Sequence, residues 1–253
     1  MTEDAPRPWV KALGHPAVAL GLGLAFFPLA RLFFVPAYVM NFLLTLVHEV
    51  GHSIFAWLMG CVSIPTVGIF GGGVAPWYGP YLPLQVAVGG GVAWAAWTNR
   101  DRLWISIPAG ILAVALPAMS LSGHHETVID AGGVAFELIG AAACFAVVVG
   151  ADLERPFERP LYALWGWWML LSRGTETLLM LSSQAYWEEQ RIYESGLAAG
   201  LVNDLHKMQE SWGMAPRTLL GLVFAGCLLA LPVGALAGWG WRRNAAKLGT
   251  DLK

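Results

Sequence analysis

Asn41-Phe42-Leu43-Leu44-Thr45-Leu46-Val47-His48-Glu49-Val50-Gly51-His52-Ser53-Ile54-Phe55-Ala56-Trp57-Leu58-Met59 decides how the chain is read. The run is long and apolar enough to cross a bilayer, yet it holds three ionisable groups about halfway through. Groups of that kind at such depth are expensive and usually functional. His48 and His52 are four residues apart, so on a helix both imidazoles leave one face at a spacing that suits a single tetrahedral zinc ion. Glu49 stands beside them, where a carboxylate can take a proton from a zinc-activated water and pass it to a leaving amine. Together they form the H-E-x-x-H pattern of zinc metallopeptidases, which shuffling this composition would produce roughly 0.006 times per chain. Histidines that merely hydrogen-bond between helices are the plain alternative.

The rest of the composition agrees with a membrane setting. Of 253 residues, 57% are hydrophobic and 13% charged, about half the charged share of a soluble domain. A formal net charge of -2, with no basic tail beyond Arg242, Arg243, Lys247 and Lys253, gives a nucleic-acid partner no electrostatic support. Cys61, Cys144 and Cys227 are far apart and fit neither a disulfide framework nor a cysteine zinc site. Arg7 and Lys11 before the apolar stretch 17–30 resemble a signal peptide, but no A-x-A-like site follows, so an uncleaved first span is expected.

Apolar length predicts spans near 16–34, 37–59, 83–98, 103–121, 131–151, 160–182 and 217–240. The fold expected is an all-α polytopic membrane protein, one integral membrane domain over 1–253 with about six to seven transmembrane helices. Arg100 and Arg102, then Arg155 and Arg159, then Arg242, Arg243 and Lys247 fall on one side, which the positive-inside rule makes cytoplasmic, with the C-terminus. The connections 124–130 and 184–216 then lie outside. The second carries Glu188, Glu189, Arg191, Glu194, Asp204, Lys207 and Glu210 and reads as one or two short surface helices. Tryptophans and tyrosines near the span ends fit interfacial belts.

After the second span, Cys61-Val62-Ser63-Ile64-Pro65-Thr66-Val67-Gly68-Ile69-Phe70-Gly71-Gly72-Gly73-Val74 is too short, and too rich in glycine and β-branched residues, for a spanning helix. It reads as a short membrane-associated strand or hairpin.

His48-Glu49-Val50-Gly51-His52-Ser53-Ile54-Phe55-Ala56, with Gly60 and then Ile69-Phe70-Gly71-Gly72, resembles the site-2 protease group of intramembrane zinc metalloproteases. That helix reads H-E-x-G-H followed by small and apolar residues, and a membrane-associated β segment ending in a glycine pair comes after it. The resemblance implies that His48 and His52 bind zinc (Zn2+), that Glu49 is the general base, and that Gly51 admits a close neighbour. It covers about residues 40–75, within a metalloprotease-like core placed at about 37–151. The family's third ligand is an Asp in an N-P-x-x-x-x-D-G-like motif on a later helix. No such motif stands here, and the nearest fragment is Asn203-Asp204, in the polar outer segment.

A catalytic zinc needs three protein ligands and an open position. Glu137 is the leading candidate for the third, because Gly133, Gly140, Ala141 and Cys144 place it in a stripe of small residues where helices pack closely. Seven residues beyond Asp130, it is about 10 Å deep, a level comparable with His48. Alternatively, Glu137 pairs with a polar group such as Arg173. His125 is a possible additional ligand or gate, and His124 and Asp204 remain further candidates for the metal. In the His124-His125-Glu126 cluster, a polar outer loop is the plainer reading. Glu176 reads as an outer-end polar residue and His206 as a surface histidine.

The expected function is hydrolysis of peptide bonds in or beside the bilayer, with a membrane protein or peptide as substrate. Two other readings stay open, a zinc-binding membrane scaffold that does not cleave and a membrane metallohydrolase of a non-peptide substrate. Short loops and the lack of targeting segments favour a bacterial inner membrane.

Overall fold

A computed structural model describes residues 12–69, 71–101, 103–153, 155, 157–192 and 201–251. Arg7, Lys11, Phe70, Arg102, Glu194 and Lys253 lie outside them. Helices dominate, as the length and apolarity of the segments require: α1 (Pro16–Leu32), α2 (Phe34–Leu58), α3 (Leu82–Thr98), α4 (Leu103–Leu121), α5 (His125–Gly150), α6 (Glu158–Ser182), α7 (Gln184–Glu189), α8 (Asp204–Trp212) and α9 (Pro216–Asp251). Three of these are long and apolar enough to cross a membrane: α2, α5 and the Pro216–Arg243 part of α9. Large apolar side chains remain on the surface, among them Leu32, Phe34, Trp94, Val114 and Leu236. Such a surface suits lipid better than water.

Between α2 and α3 the glycine-rich stretch is a nested antiparallel hairpin rather than helix. Its strands are β1 (Val62–Ser63), β2 (Thr66–Val67), β3 (Gly73–Val74) and β4 (Trp77–Tyr78). The outer pair sets Val62 opposite Tyr78 and Ser63 opposite Trp77, and the inner pair sets Thr66 opposite Val74 and Val67 opposite Gly73. The base closes through the Tyr81 amide, which donates to the Gly60 carbonyl at 2.8 Å.

The chain divides into two compact units built from non-contiguous segments. The first comprises 12–44, 137–186 and 220–251. There α1 lies along α6, and Gly23 allows the approach, since a Cβ on it would meet the Leu164 amide nitrogen at 2.6 Å. Within the same unit Arg159 donates to the carbonyls of Val148 and Ala151, groups left without helical partners where α5 ends. Gly234 and Gly238 bring α9 close to the backbone of α5.

The second unit comprises 45–136 and 187–219. It holds the second half of α2, the hairpin, the α3 and α4 pair, the start of α5, and α8. One buried apolar cluster in it joins Ala56, Met59, Cys61, Leu116 and Ile129. Two glycines set how closely α2 and α5 pack here. A Cβ on Gly51 would meet the Gly132 carbonyl oxygen at 2.5 Å, and one on Gly132 would meet the Gly51 carbonyl oxygen at 3.0 Å. A small-residue crossing of that kind holds helices together in lipid.

Candidate metal centre

The H-E-x-x-H pentad falls in the second half of α2, within the second unit. His48 and His52 project from one face, with ring centroids 4.6 Å apart and planes at 81°. Their Nε2 atoms are 3.0 Å from each other. The third member of the cluster is Asp204, whose Oδ2 is 2.9 Å from His48 Nε2 and 3.0 Å from His52 Nε2. Among the described residues this is the one group of three or more His, Cys, Asp or Glu side chains whose ligand atoms converge closely enough for a metal ion.

Asp204 reaches the histidines because of how α8 begins. Asn203 is the N-cap, in extended conformation, and its side chain accepts from the Leu205 amide. Asp204 is then the first helical residue, a position that favours a carboxylate. Gly213 in the left-handed conformation ends the helix, as glycine commonly does.

The hydrogen-bond pattern fixes the tautomer of one of the two rings. His52 Nδ1 lies 2.6 Å from the Ile129 carbonyl oxygen; a carbonyl only accepts, so Nδ1 carries the proton and donates it. The remaining Nε2 of a neutral ring is then a lone pair, aimed at a carboxylate oxygen and at a second imidazole nitrogen. Oδ2 and that lone pair are both acceptors 3.0 Å apart, an approach that a hydrogen on the His48 ring or a metal ion between the three atoms would hold. A histidine whose far nitrogen donates to a backbone carbonyl is also the usual arrangement of a metal-ligating imidazole. The edges of this triangle lie a few tenths of an ångström below the roughly 3.3 Å between ligand atoms about tetrahedral zinc with bonds near 2.0–2.1 Å. Two histidines and one carboxylate are a donor set that catalytic zinc uses, so the residues fit a divalent metal.

Surrounding groups tune the cluster. Burial acts to raise the Asp204 carboxyl, but imidazoles that carry a proton toward Oδ2 more than cancel it and hold the group well below the ordinary carboxylate range. Its other oxygen, Oδ1, accepts from Lys207 Nζ at 3.1 Å. Burial acts to lower the Lys207 ammonium, while Asp204 and Asp130 raise it above its ordinary value, so it stays charged. On the α5 side Gly133 leaves room for the rings, since a Cβ there would come to 2.5 Å of His48 Nε2 and 2.6 Å of His52 Nε2.

Glu49 is buried and lies within electrostatic reach of His48, His52 and Asp204. The hairpin covers it: a Cβ on Gly73 of β3 would sit 2.5 Å from Glu49 Cγ and 2.6 Å from Oε1. Strand β1 is tied to α2 by the Ser53 and Ser63 hydroxyls at 3.1 Å and by Trp57 Nε1 donating to the Ser63 carbonyl at 2.9 Å.

Glu137 is not part of this cluster, whose one carboxylate is that of Asp204. Glu137 lies in the first unit, where both its oxygens accept from Arg173, Nε and NH2, each at 2.8 Å. NH1 of the same guanidinium donates to Glu176 at 2.7 Å. A carboxylate bound at both oxygens by one guanidinium is already satisfied, which is the pairing with Arg173 that the sequence left open. His125 is also outside the cluster. Its ring meets Trp77 edge to face at 5.5 Å, and its Nδ1 is buried without a hydrogen-bond partner. His124 is exposed and bonds locally to Ser122. His206, expected on the surface, is instead buried and stacked on Trp187 at 3.7 Å.

Sequence reasoning named Asp204 only as a lesser candidate and attached no role to Lys207 or Asp130. The available signal was Asn203-Asp204 itself, an N-cap pair opening a helix in a polar stretch. Comparison of the chain with protein-family models, curated proteins and solved structures gives no match.

Proposed function

We propose that the protein is a membrane-embedded zinc metallopeptidase of the site-2 protease type, with His48, His52 and Asp204 as metal ligands and Glu49 as general base. The observation that carries this reading is the convergence of His48 Nε2, His52 Nε2 and Asp204 Oδ2 on one point beside Glu49. Zinc bound by His48, His52 and Asp204 would supply Lewis-acid polarisation of a peptide carbonyl and acidification of a water. The chain's own residues do the rest. Ile129 holds the His52 ring in the tautomer that leaves Nε2 free. Glu49, the carboxylate beside the ligands, takes the water proton and returns it to the departing amine. The hairpin, resting on Glu49, keeps bulk water from that carboxylate and offers strand edges with which an extended substrate can pair.

The remaining long helices complete about seven spans, with Arg100, Arg155, Arg159, Arg242 and Arg243 on the cytoplasmic side together with the C-terminus. A bacterial inner membrane suits the short connections. Substrates are membrane proteins or peptides that expose an unwound stretch, because helical carbonyls are already hydrogen-bonded.

The test is cleavage of a transmembrane reporter library by purified wild type and Glu49→Gln. A peptidase loses cleavage by about 100-fold or more in the variant while keeping its metal. Equal cleavage by both proteins, or metal binding with no cleavage of any member, contradicts the peptidase reading.

A further inference from the structure

The two oxygens of Asp204 have different partners. Oδ2 faces the imidazoles, whereas Oδ1 accepts from Lys207, three residues on and on the same face of α8. The same ammonium lies 3.9 Å from Asp130 Oδ1 on α5, one residue after the carbonyl that orients His52. One cation therefore stands between two little-exposed carboxylates, their side chains 13% and 17% exposed. Arg191 and Glu210 form an ordinary surface pair by contrast, both more than half exposed.

We propose that Lys207 is a positioning residue of the metal centre, fixing Asp204 with Oδ2 toward His48 and His52 and offsetting the charge of Asp130 so that α8 seats against α5. This rests on the metal-centre reading above. Without the ammonium, two carboxylates repel each other with no cation between them, and one must move away. Asp204 is the one free to move, since it begins a helix of 9 residues whereas Asp130 is within one of 26. Lys207 thus acts on the metal through its ligand, at a stage before any substrate is present.

Zinc affinity, measured by chelator competition on the full chain in detergent, tests this on five proteins: wild type, Lys207→Met, Lys207→Arg, Asp130→Asn and the Lys207→Met/Asp130→Asn double variant. Lys207→Met is expected to bind zinc about 10- to 100-fold more weakly, the usual effect of losing an outer partner. Lys207→Arg restores most of the affinity because it keeps the charge. Removing the opposing carboxylate makes the double variant bind more tightly than Lys207→Met alone, a rescue that a purely structural lysine does not give. Lys207→Met with wild-type affinity overturns the proposal and leaves the metal centre standing, as does a double variant no tighter than Lys207→Met. Wild type that binds no zinc overturns both. Should Lys207→Met fail to fold, the double variant decides: recovery of fold and zinc supports the charge balance, and failure to recover overturns it.

Discussion

Gly73 on β3 and Glu49 on α2 are in such close contact that a single added methyl group at residue 73 would sit 2.5 Å from the glutamate's Cγ. The strand passes over the carboxylate proposed as general base, and only glycine leaves it room. Gly73→Ala is therefore expected to displace Glu49 without touching His48, His52 or Asp204. Cleavage should fall by about 100-fold or more while zinc content stays at the wild-type level. Parallel loss of zinc would show that the hairpin supports the metal ligands themselves.

Gly133 and Gly51 make a second pair of size-limited positions with separable effects. A Cβ at residue 133 meets both imidazoles, so Gly133→Ala should lower zinc affinity measurably. A Cβ at residue 51 meets the Gly132 carbonyl and the Phe136 side chain instead. Gly51→Ala should cost about 1–3 kcal/mol of stability as overpacking, read by denaturant unfolding in detergent. Equal unfolding midpoints for Gly51→Ala and wild type would contradict the close crossing of α2 and α5.

Glu137 is 1% exposed and depends on Arg173 for its charge partner. Arg173→Met removes both of those charged hydrogen bonds from a buried carboxylate and should destabilise the protein by about 3–5 kcal/mol. The Glu137→Leu/Arg173→Met pair should recover most of the loss, since an apolar pair of similar volume is often as stable as a buried ion pair. Unfolding curves of the three proteins check this. A double variant no more stable than Arg173→Met would contradict the assignment of Glu137 to a structural ion pair.

The helical segments were legible because apolar length is a one-dimensional property. Each predicted run, from 16–34 to 217–240, coincides with a helix, and α7 and α8 occupy the polar stretch expected to hold short helices. The hairpin was legible from the glycines and β-branched residues of 61–74. His48, Glu49 and His52 were legible because their chemistry is written in five consecutive residues. Asp204 was not, since it lies 152 residues beyond His52 in a segment whose charges read as solvated surface. Only folding shows that the N-terminus of α8 turns inward. Glu137 drew attention for a sound reason, a carboxylate in a stripe of small residues. Local spacing cannot tell a metal ligand from half of an ion pair whose partner lies 36 residues on. Gly133, one turn earlier in that stripe, is the residue that meets the imidazoles.

Metal content by mass spectrometry on detergent-purified protein, after zinc supplementation, tests the central claim most directly, comparing wild type with His48→Ala, His52→Ala, Asp204→Ala and Glu137→Gln. The account predicts near-stoichiometric zinc in wild type and Glu137→Gln, and its loss in the other three. Wild type without zinc, or Asp204→Ala that retains it while Glu137→Gln loses it, would contradict the metal centre described here.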